Sequence, residues 1–171
     1  MSLSTLLQNI ADTEQGPKTC AVFDFDGTII SGYSATAFLK DQIARGEISP
    51  ADLVQLTQAA TRFGIGSLGF SALMAVHAQY LAGRSEAEYV ANSERLFRRA
   101  IAKLIYPEAR QLIEAHRAAG HSIAIISSAT PYQVLPAARD LGIEHVYATD
   151  LQVEDGQFTG GVVQPTCFGI G

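Results

Sequence analysis

Asp24 and Asp26 stand two residues apart and are followed at once by Gly27 and Thr28, in the run Asp24-Phe25-Asp26-Gly27-Thr28. Carboxylates this close repel, which favours either a bound cation or a proton retained on one of them. Either outcome serves phosphoryl transfer, which needs a carboxylate nucleophile, a proton donor for the leaving oxygen and a cation to neutralise phosphate charge. Asp24 suits the first role and Asp26 the second. Magnesium fits so sparse an acidic set, because it takes one or two protein carboxylates and fills its shell with water and phosphate oxygens. Gly27 permits a close backbone approach, while Thr28 and Ser127 supply hydroxyl donors. Free N–H groups where a helix opens near Pro131 favour the same anion. A calcium loop is excluded by count, since the twelfth position from Asp24 is Ala35, where that motif needs a bidentate Glu.

Such groups must be delivered to one place, and the flanking sequence shows how. Residues 19–25 (TCAVFDF) form a short apolar run entering the acidic cluster, and 121–126 (HSIAII) repeat the design and end in Ser127-Ser128. Both read as parallel strands buried on two faces, with a third at 145–148. Between them, 107–119 set Ala109, Leu112, Ile113 and His116 on one helical face and stop at Gly120, and another helical stretch closes at Gly142. Alternating helix and strand predicts an α/β fold, a Rossmann-like, doubly wound parallel sheet with right-handed crossovers. In such sheets ligands bind beyond the carboxyl ends of the strands, where Asp24, Asp26 and Ser127 fall. Residues 149–163 alternate around Asp155-Gly156, the signal of a β-hairpin.

The first two strands lie too far apart for a single crossover helix. Residues 33–105 therefore read as a helical insertion of four helices, at 34–45, 50–63, 68–82 and 86–104. Ser49-Pro50 opens the second, a capping box at Ser85 to Glu88 opens the fourth, and Gly64-Ile65-Gly66 is a flexible joint. Leu73, Val76, His77, Tyr80 and Leu81 share one face of the third helix, so His77 reads as a packed histidine of the insertion. The predicted organisation is thus an amino-terminal tail or short helix at 1–16, a core made of 17–32 and 106–171, and a helical cap at 33–105.

A chain of 171 residues, 47% hydrophobic and 17% charged, has the balance of a globular protein with a proper core. Its net charge of -5 argues against a nucleic-acid partner. The one basic cluster, Arg95, Arg98 and Arg99, reads as the solvated face of a helix. Cys20 and Cys167 fit neither a zinc nor a redox spacing and read as reduced thiols of a cytoplasmic protein. No apolar run approaches the ~20 residues needed to cross a bilayer.

The sequence resembles the haloacid-dehalogenase-like hydrolases in DFDGT at 24–28, ISSATP at 126–131 and ATDLQVEDGQFTGGV from Ala148, over residues 19–171. It is most similar to the subgroup with a helical cap after the first motif, which includes phosphoserine phosphatases. The resemblance implies that Asp24 is the nucleophile and a magnesium ligand. It implies that Asp26 is the acid/base, binding the metal through its backbone carbonyl, and that Ser127, with Ser128 as alternative, is the phosphate-binding hydroxyl. Two departures follow. Phosphoserine phosphatases carry a Glu nine residues after the nucleophile to meet the substrate amine; that position is Tyr33, which argues against phosphoserine. A third-motif lysine and a further acidic pair are expected beyond the hairpin, and the residues up to Gly171 contain neither. The expectation is a truncated chain with little or no activity of its own and an incomplete sheet edge that invites self-association. Some relatives of this cap type continue into a membrane-associated acyltransferase.

The leading functional expectation is a magnesium-dependent phosphomonoester hydrolase acting on a small phosphorylated substrate through an aspartyl-phosphate on Asp24. Cap residues Tyr33, Arg62 and Phe63 are the candidates for setting specificity. The alternatives are a non-catalytic module that binds phosphate or a partner, and a phosphotransferase in which an alcohol replaces water.

Overall fold

The computed structural model describes residues 2–169. Met1 of the predicted tail and residues 170 and 171 of the predicted core therefore lie outside the described residues. The leading segment is a helix and not a loose tail. In α1 (Leu3–Asp12) the Ser2 side chain accepts from the Thr5 N–H at 3.2 Å, capping the first turn, and Ile10 is buried. α1 lies against α6 (Pro107–Ala118), and the Gly16 N–H donates to the Ala119 carbonyl at 2.9 Å.

Three short strands, β1 (Cys20–Phe23), β2 (Ser122–Ile126) and β3 (His145–Tyr147), form a parallel sheet in the order β1-β2-β3. Ala21, Ala124 and Ile125 are buried and β-branched side chains suit a pleated surface, but Val22, Ile126 and Tyr147 are exposed, so the strands are not buried on both faces as their apolar runs predict. α6 feeds β2, and α7 (Pro131–Leu141) feeds β3. α7 ends where Gly142 takes the left-handed conformation (φ 64°), so that its N–H can return to the Ala138 and Arg139 carbonyls. The sheet is parallel, as the alternation predicts.

Between β1 and β2 the chain builds α2 (Ser34–Ala44), α3 (Pro50–Gly64), α4 (Phe70–Leu81) and α5 (Glu86–Leu96). The fourth predicted helix does not run unbroken to Leu104. Regular α-helix stops at Leu96, a π-helical turn covers Phe97–Ile101, and a 3-10 turn covers Ala102–Leu104. An apolar stripe reports which residues face inward, here Leu96, Phe97 and Ile101. It does not report which carbonyl each N–H selects. The tightened end places the Leu104 carbonyl 2.8 Å from the Ser31 N–H and lets Ile105 pair with Ile30. Of the predicted capping box on α5, the Ser85 hydroxyl accepting from Glu88 N–H is present.

The hairpin is β4 (Leu151–Glu154) and β5 (Gln157–Val162), and both turn residues, Asp155 and Gly156, take positive φ (49° and 74°) as a tight two-residue turn requires. It is not a free flap. The Gly83 N–H donates to the Phe158 carbonyl (2.8 Å), Phe158 N–H to the Arg84 carbonyl (3.0 Å) and Glu86 N–H to the Gly156 carbonyl (2.9 Å), so the loop before α5 is bridged to the hairpin at Ser85 and Gln157. β5 approaches α4 so closely that a Cβ on Gly160 would lie 3.2 Å from the Ala82 Cβ.

Phe158, 2% exposed, meets the rings of Tyr89 on α5 and Tyr132 on α7 edge-on at centroid distances of 5.4 and 5.3 Å. One side chain thus joins the hairpin, the inserted helices and the sheet layer. Phe158→Ala is expected to cost about 3–5 kcal/mol, the usual range for emptying a large aromatic site. Denaturant unfolding monitored by circular dichroism checks this; a loss below about 1 kcal/mol would mean that the three elements do not share this core.

Candidate active site

At the exit of β1 the backbone folds onto the Phe25 carbonyl, which accepts from the N–H groups of Ile29 (2.9 Å) and Ile30 (3.1 Å). Phe25, Ile29 and Ile30 are fully buried by this turn, leaving Asp24 exposed and Asp26 half-buried. Gly27 (φ 76°) makes the reversal, and its N–H donates to the Gly32 carbonyl at 2.9 Å. Thr28 is exposed on the same loop. Because Phe23 pairs with Ile125, Asp24 and Ser127 leave the sheet on adjacent strands.

The two carboxylates are held differently. Asp24 Oδ1 accepts from the Phe25 N–H at 2.7 Å. Asp26 is gripped by one residue: Ser34 N–H donates to Oδ1 at 2.7 Å and Ser34 Oγ to Oδ2 at 3.1 Å. Asp26 therefore caps the first turn of α2, a favourable place for a carboxylate. Its pKa is nevertheless raised, above all by burial; the two Ser34 hydrogen bonds pull it down, and the charge of Asp24 pushes it up again. That last effect shows the two carboxylates close enough to interact.

Ser34 is fully buried, and its Oγ accepts from Gln133 Nε2 at 2.9 Å. Gln133 Oε1 accepts from Thr130 N–H (2.8 Å) and Thr130 Oγ1 (2.9 Å), completing a capping box at the start of α7. An unbroken hydrogen-bonded path thus runs from α7 through Gln133 and Ser34 to Asp26. Sequence reading missed both links, although Thr130-x-x-Gln133 is a capping-box pattern and Ser34 is a small hydroxyl residue at a helix opening. Ser127 is 3% exposed; its Oγ accepts from the Ala129 N–H at 3.2 Å, which shapes the turn and leaves its own proton free to donate. Ser128 is half-buried beside it.

The three candidate specificity residues are not gathered here. Tyr33 is 71% exposed, in an open groove with Lys40, Arg99 and Lys103. Arg62 is exposed on α3, beside Val54 and Thr57. Phe63 packs against Phe70 and Phe168, both at 6.0 Å between centroids. Arg98 and Arg99 are exposed and pair with Glu94 and Asp41.

His77 lies in the interior of the inserted helices beside Met74 and Tyr89, where burial pushes its pKa down to about 4. The folded state must hold it neutral. Stability from this group is complete above pH 6.5 and is lost as pH falls towards 4, because the unfolded chain takes up the proton first. The shift corresponds to roughly 3 kcal/mol, trimmed to about 2 by the solvent contact His77 keeps. His77→Leu is therefore expected to flatten the stability profile between pH 6.5 and 4 by that amount. Equal slopes for the two proteins in urea melts would contradict the assignment.

A magnesium ion fits this donor set. Asp26 commits both carboxylate oxygens to Ser34, whereas Asp24 is exposed and offers Oδ2 to a cation. Among the described residues no cluster of three His, Cys, Asp or Glu side chains is present, so protein carboxylates alone do not complete a shell, in keeping with an ion that retains water and substrate oxygens.

An open parallel α/β sheet, with an interacting aspartate pair and a buried serine at its strand ends, defines the class of protein. The chain belongs to the haloacid dehalogenase-like hydrolases, whose family model matches residues 21–171. It is 30% identical over 167 residues to a probable phosphatase of Mycobacterium tuberculosis (strain ATCC 25618 / H37Rv), covering 96% of this chain and 58% of that protein. It is 33% identical over 156 residues to the phosphoserine phosphatase SerB1 of the same strain, covering 88% of this chain and 50% of that one. A crystal structure of a protein of unknown function from Bordetella pertussis Tohama I superposes with a TM-score of 0.79 at 25% identity, covering 88% of this chain and 68% of that one. The chain spans between half and three-fifths of the length of these mycobacterial relatives. Among the described residues no helix is long and apolar enough to cross a membrane.

Proposed function

We propose that this chain carries the nucleophile and acid/base of a magnesium-dependent phosphomonoester hydrolase. Residues 33–105 act as a cap over a core formed by 17–32 and 106–171. The observation that carries the reading is the unequal environment of the two carboxylates: Asp24 open and exposed, Asp26 half-buried with a raised pKa in the grip of Ser34. Two carboxylates held in unlike environments are the arrangement by which one site supplies both a nucleophile and an acid.

In the first step an Asp24 carboxylate oxygen forms a bond to phosphorus as the bond to the alcohol oxygen breaks, and Asp26 gives that oxygen its proton. In the second, water attacks the aspartyl-phosphate, returns a proton to Asp26 and frees Asp24 as phosphate leaves. Ser127, Thr28 and the backbone at Gly27 position the phosphoryl oxygens. Bound by the Asp24 carboxylate and the Asp26 backbone carbonyl, magnesium would supply neutralisation of the phosphate charge. Ser34 fixes the Asp26 carboxylate, and Gln133 fixes Ser34.

The relative named as a phosphoserine phosphatase raises that substrate for this chain. The position nine residues after Asp24 argues otherwise, because Tyr33 offers no charge to an ammonium group. A phosphate-release screen with magnesium is expected to favour monoesters without an amino-acid head. Phosphoserine as the best substrate by a wide margin would overturn this assignment of Tyr33.

A further inference from the structure

Two histidines stand where the leading helix meets the core. His116, in the last turn of α6, and His121, the residue before β2, approach with their Nδ1 atoms 2.9 Å apart. His121 is 6% exposed, and its Nε2 lies 3.1 Å from the carbonyl oxygen of Glu14, in the loop after α1. That oxygen also accepts from Thr19 Oγ1 at 2.8 Å, and the Pro17 carbonyl accepts from Ser122 Oγ at 3.0 Å. The loop is thereby fastened at the starts of β1 and β2, whose other ends lead to Asp24 and Ser127.

The partners fix where the protons sit. A carbonyl oxygen only accepts, so His121 Nε2 carries a hydrogen; in a neutral ring its Nδ1 is then bare, and the hydrogen between the rings belongs to His116 Nδ1. His116 Nε2 is left as the open basic nitrogen of the pair. One proton entering there keeps both hydrogen bonds. A second must go to His121 Nδ1, which would turn two N–H groups and two positive charges against each other across 2.9 Å. Burial, and then the charge of His121, push the His116 pKa down, in line with a pair that resists charging. The charged groups around the pair are engaged with one another or face water. On α6, Glu114 and Arg117 hold each other, and on α1 Asp12 accepts from Gln8 Nε2 at 3.0 Å. Glu14 and Lys18 of the loop are exposed, and β1 presents the uncharged ring of Phe23, edge-on to His116 at 6.0 Å between centroids.

We propose that the His116–His121 pair is a proton-operated latch: with no more than one added proton it holds α1 and the Glu14 loop against α6, and the second proton releases them. Once the segment is free, both rings charge as pH falls below about 6.5. The docked pair holds one proton fewer. Docking is therefore complete above that pH and weakens on acidification, because the released form binds more protons.

Backbone hydrogen exchange in the whole protein, corrected for the intrinsic pH dependence of exchange, tests this. From about pH 6 to about pH 5 the protection of amides 7–12 in α1 should fall on the order of ten-fold, the effect of one proton over one pH unit. Amides in the middle of α6 should keep their protection, which separates release of α1 from the overall loosening that the buried His77 brings at lower pH. In His116→Asn the fall should vanish, since an amide can turn to donate to neutral His121 or to accept from its protonated form. At about pH 8, above the ordinary imidazole pKa, imidazole nitrogen NMR of the unaltered protein should find hydrogen on Nδ1 of His116 and on Nε2 of His121. The opposite tautomers would overturn the latch even if the variant failed to fold. Protection of α1 that stays constant down to pH 5 would overturn it, as would loss from α1 and α6 in step or a fall that persists in His116→Asn.

Discussion

Made in the whole protein to which these residues belong, Asp24→Asn is expected to lower magnesium-dependent phosphate release from p-nitrophenyl phosphate by at least roughly three orders of magnitude, with the unfolding midpoint nearly unchanged. The amide has the shape of the carboxylate but no anionic oxygen to form a bond to phosphorus, so the covalent step is lost. Knocking out a nucleophile that works in concert with its neighbours removes nearly all that the group achieves together. Folding should tolerate the change. Asp24 is exposed, and in the fold it accepts from the Phe25 N–H, which an Asn oxygen can also do. Release within ten-fold of the unaltered protein would remove Asp24 from the nucleophile's place.

Asp26→Asn should behave differently, and the difference is diagnostic. Positioned general acids contribute on the order of 10²–10⁴-fold, and that contribution is needed only when the leaving oxygen is basic. An alkyl phosphate should lose the full factor, whereas p-nitrophenyl phosphate, whose phenolate leaves unaided, should lose less than about ten-fold in the first step. The environment gives this its physical ground: burial raises the pKa of Asp26, and Asp24 nearby adds to the rise. Comparing kcat/KM for the two esters checks it. Equal losses on both would show that Asp26 positions the substrate and transfers no proton.

These expectations rest on a site whose members differ in how plainly the sequence announces them. Asp24 and Asp26 were legible because they follow a short run of apolar residues whose end is marked by the acids themselves, although the strand buries Ala21 and leaves Val22 exposed. The second strand, its Ser127 exit and the Asp155-Gly156 turn were legible for the same reason, since each rests on a local pattern. Ser34 and Gln133 were not. Their meaning is a contact across 99 residues, and neither residue type departs from what a helix opening ordinarily carries. Arg62 shows the opposite failure: a charged residue at the end of α3 invites a role in binding, but it stands exposed among residues of its own helix, apart from Asp24 and Asp26. The π-turn at Phe97–Ile101 escaped because side-chain periodicity is nearly blind to a change in backbone hydrogen bonding. The pairing of residues 83–86 with β5 escaped because it joins a connecting loop to a hairpin far along the chain.

The central claim is that phosphate passes through a covalent bond to Asp24, and trapping that bond tests it most directly. An aspartyl-phosphate is an acyl phosphate, so borohydride reduces it to homoserine and marks the residue that carried it. Protein quenched during turnover of an aryl phosphate and then reduced should show, by peptide mass spectrometry, homoserine at position 24 and aspartate at position 26, with no conversion in Asp24→Asn. Turnover accompanied by unmodified Asp24, or by homoserine at position 26, would contradict the account.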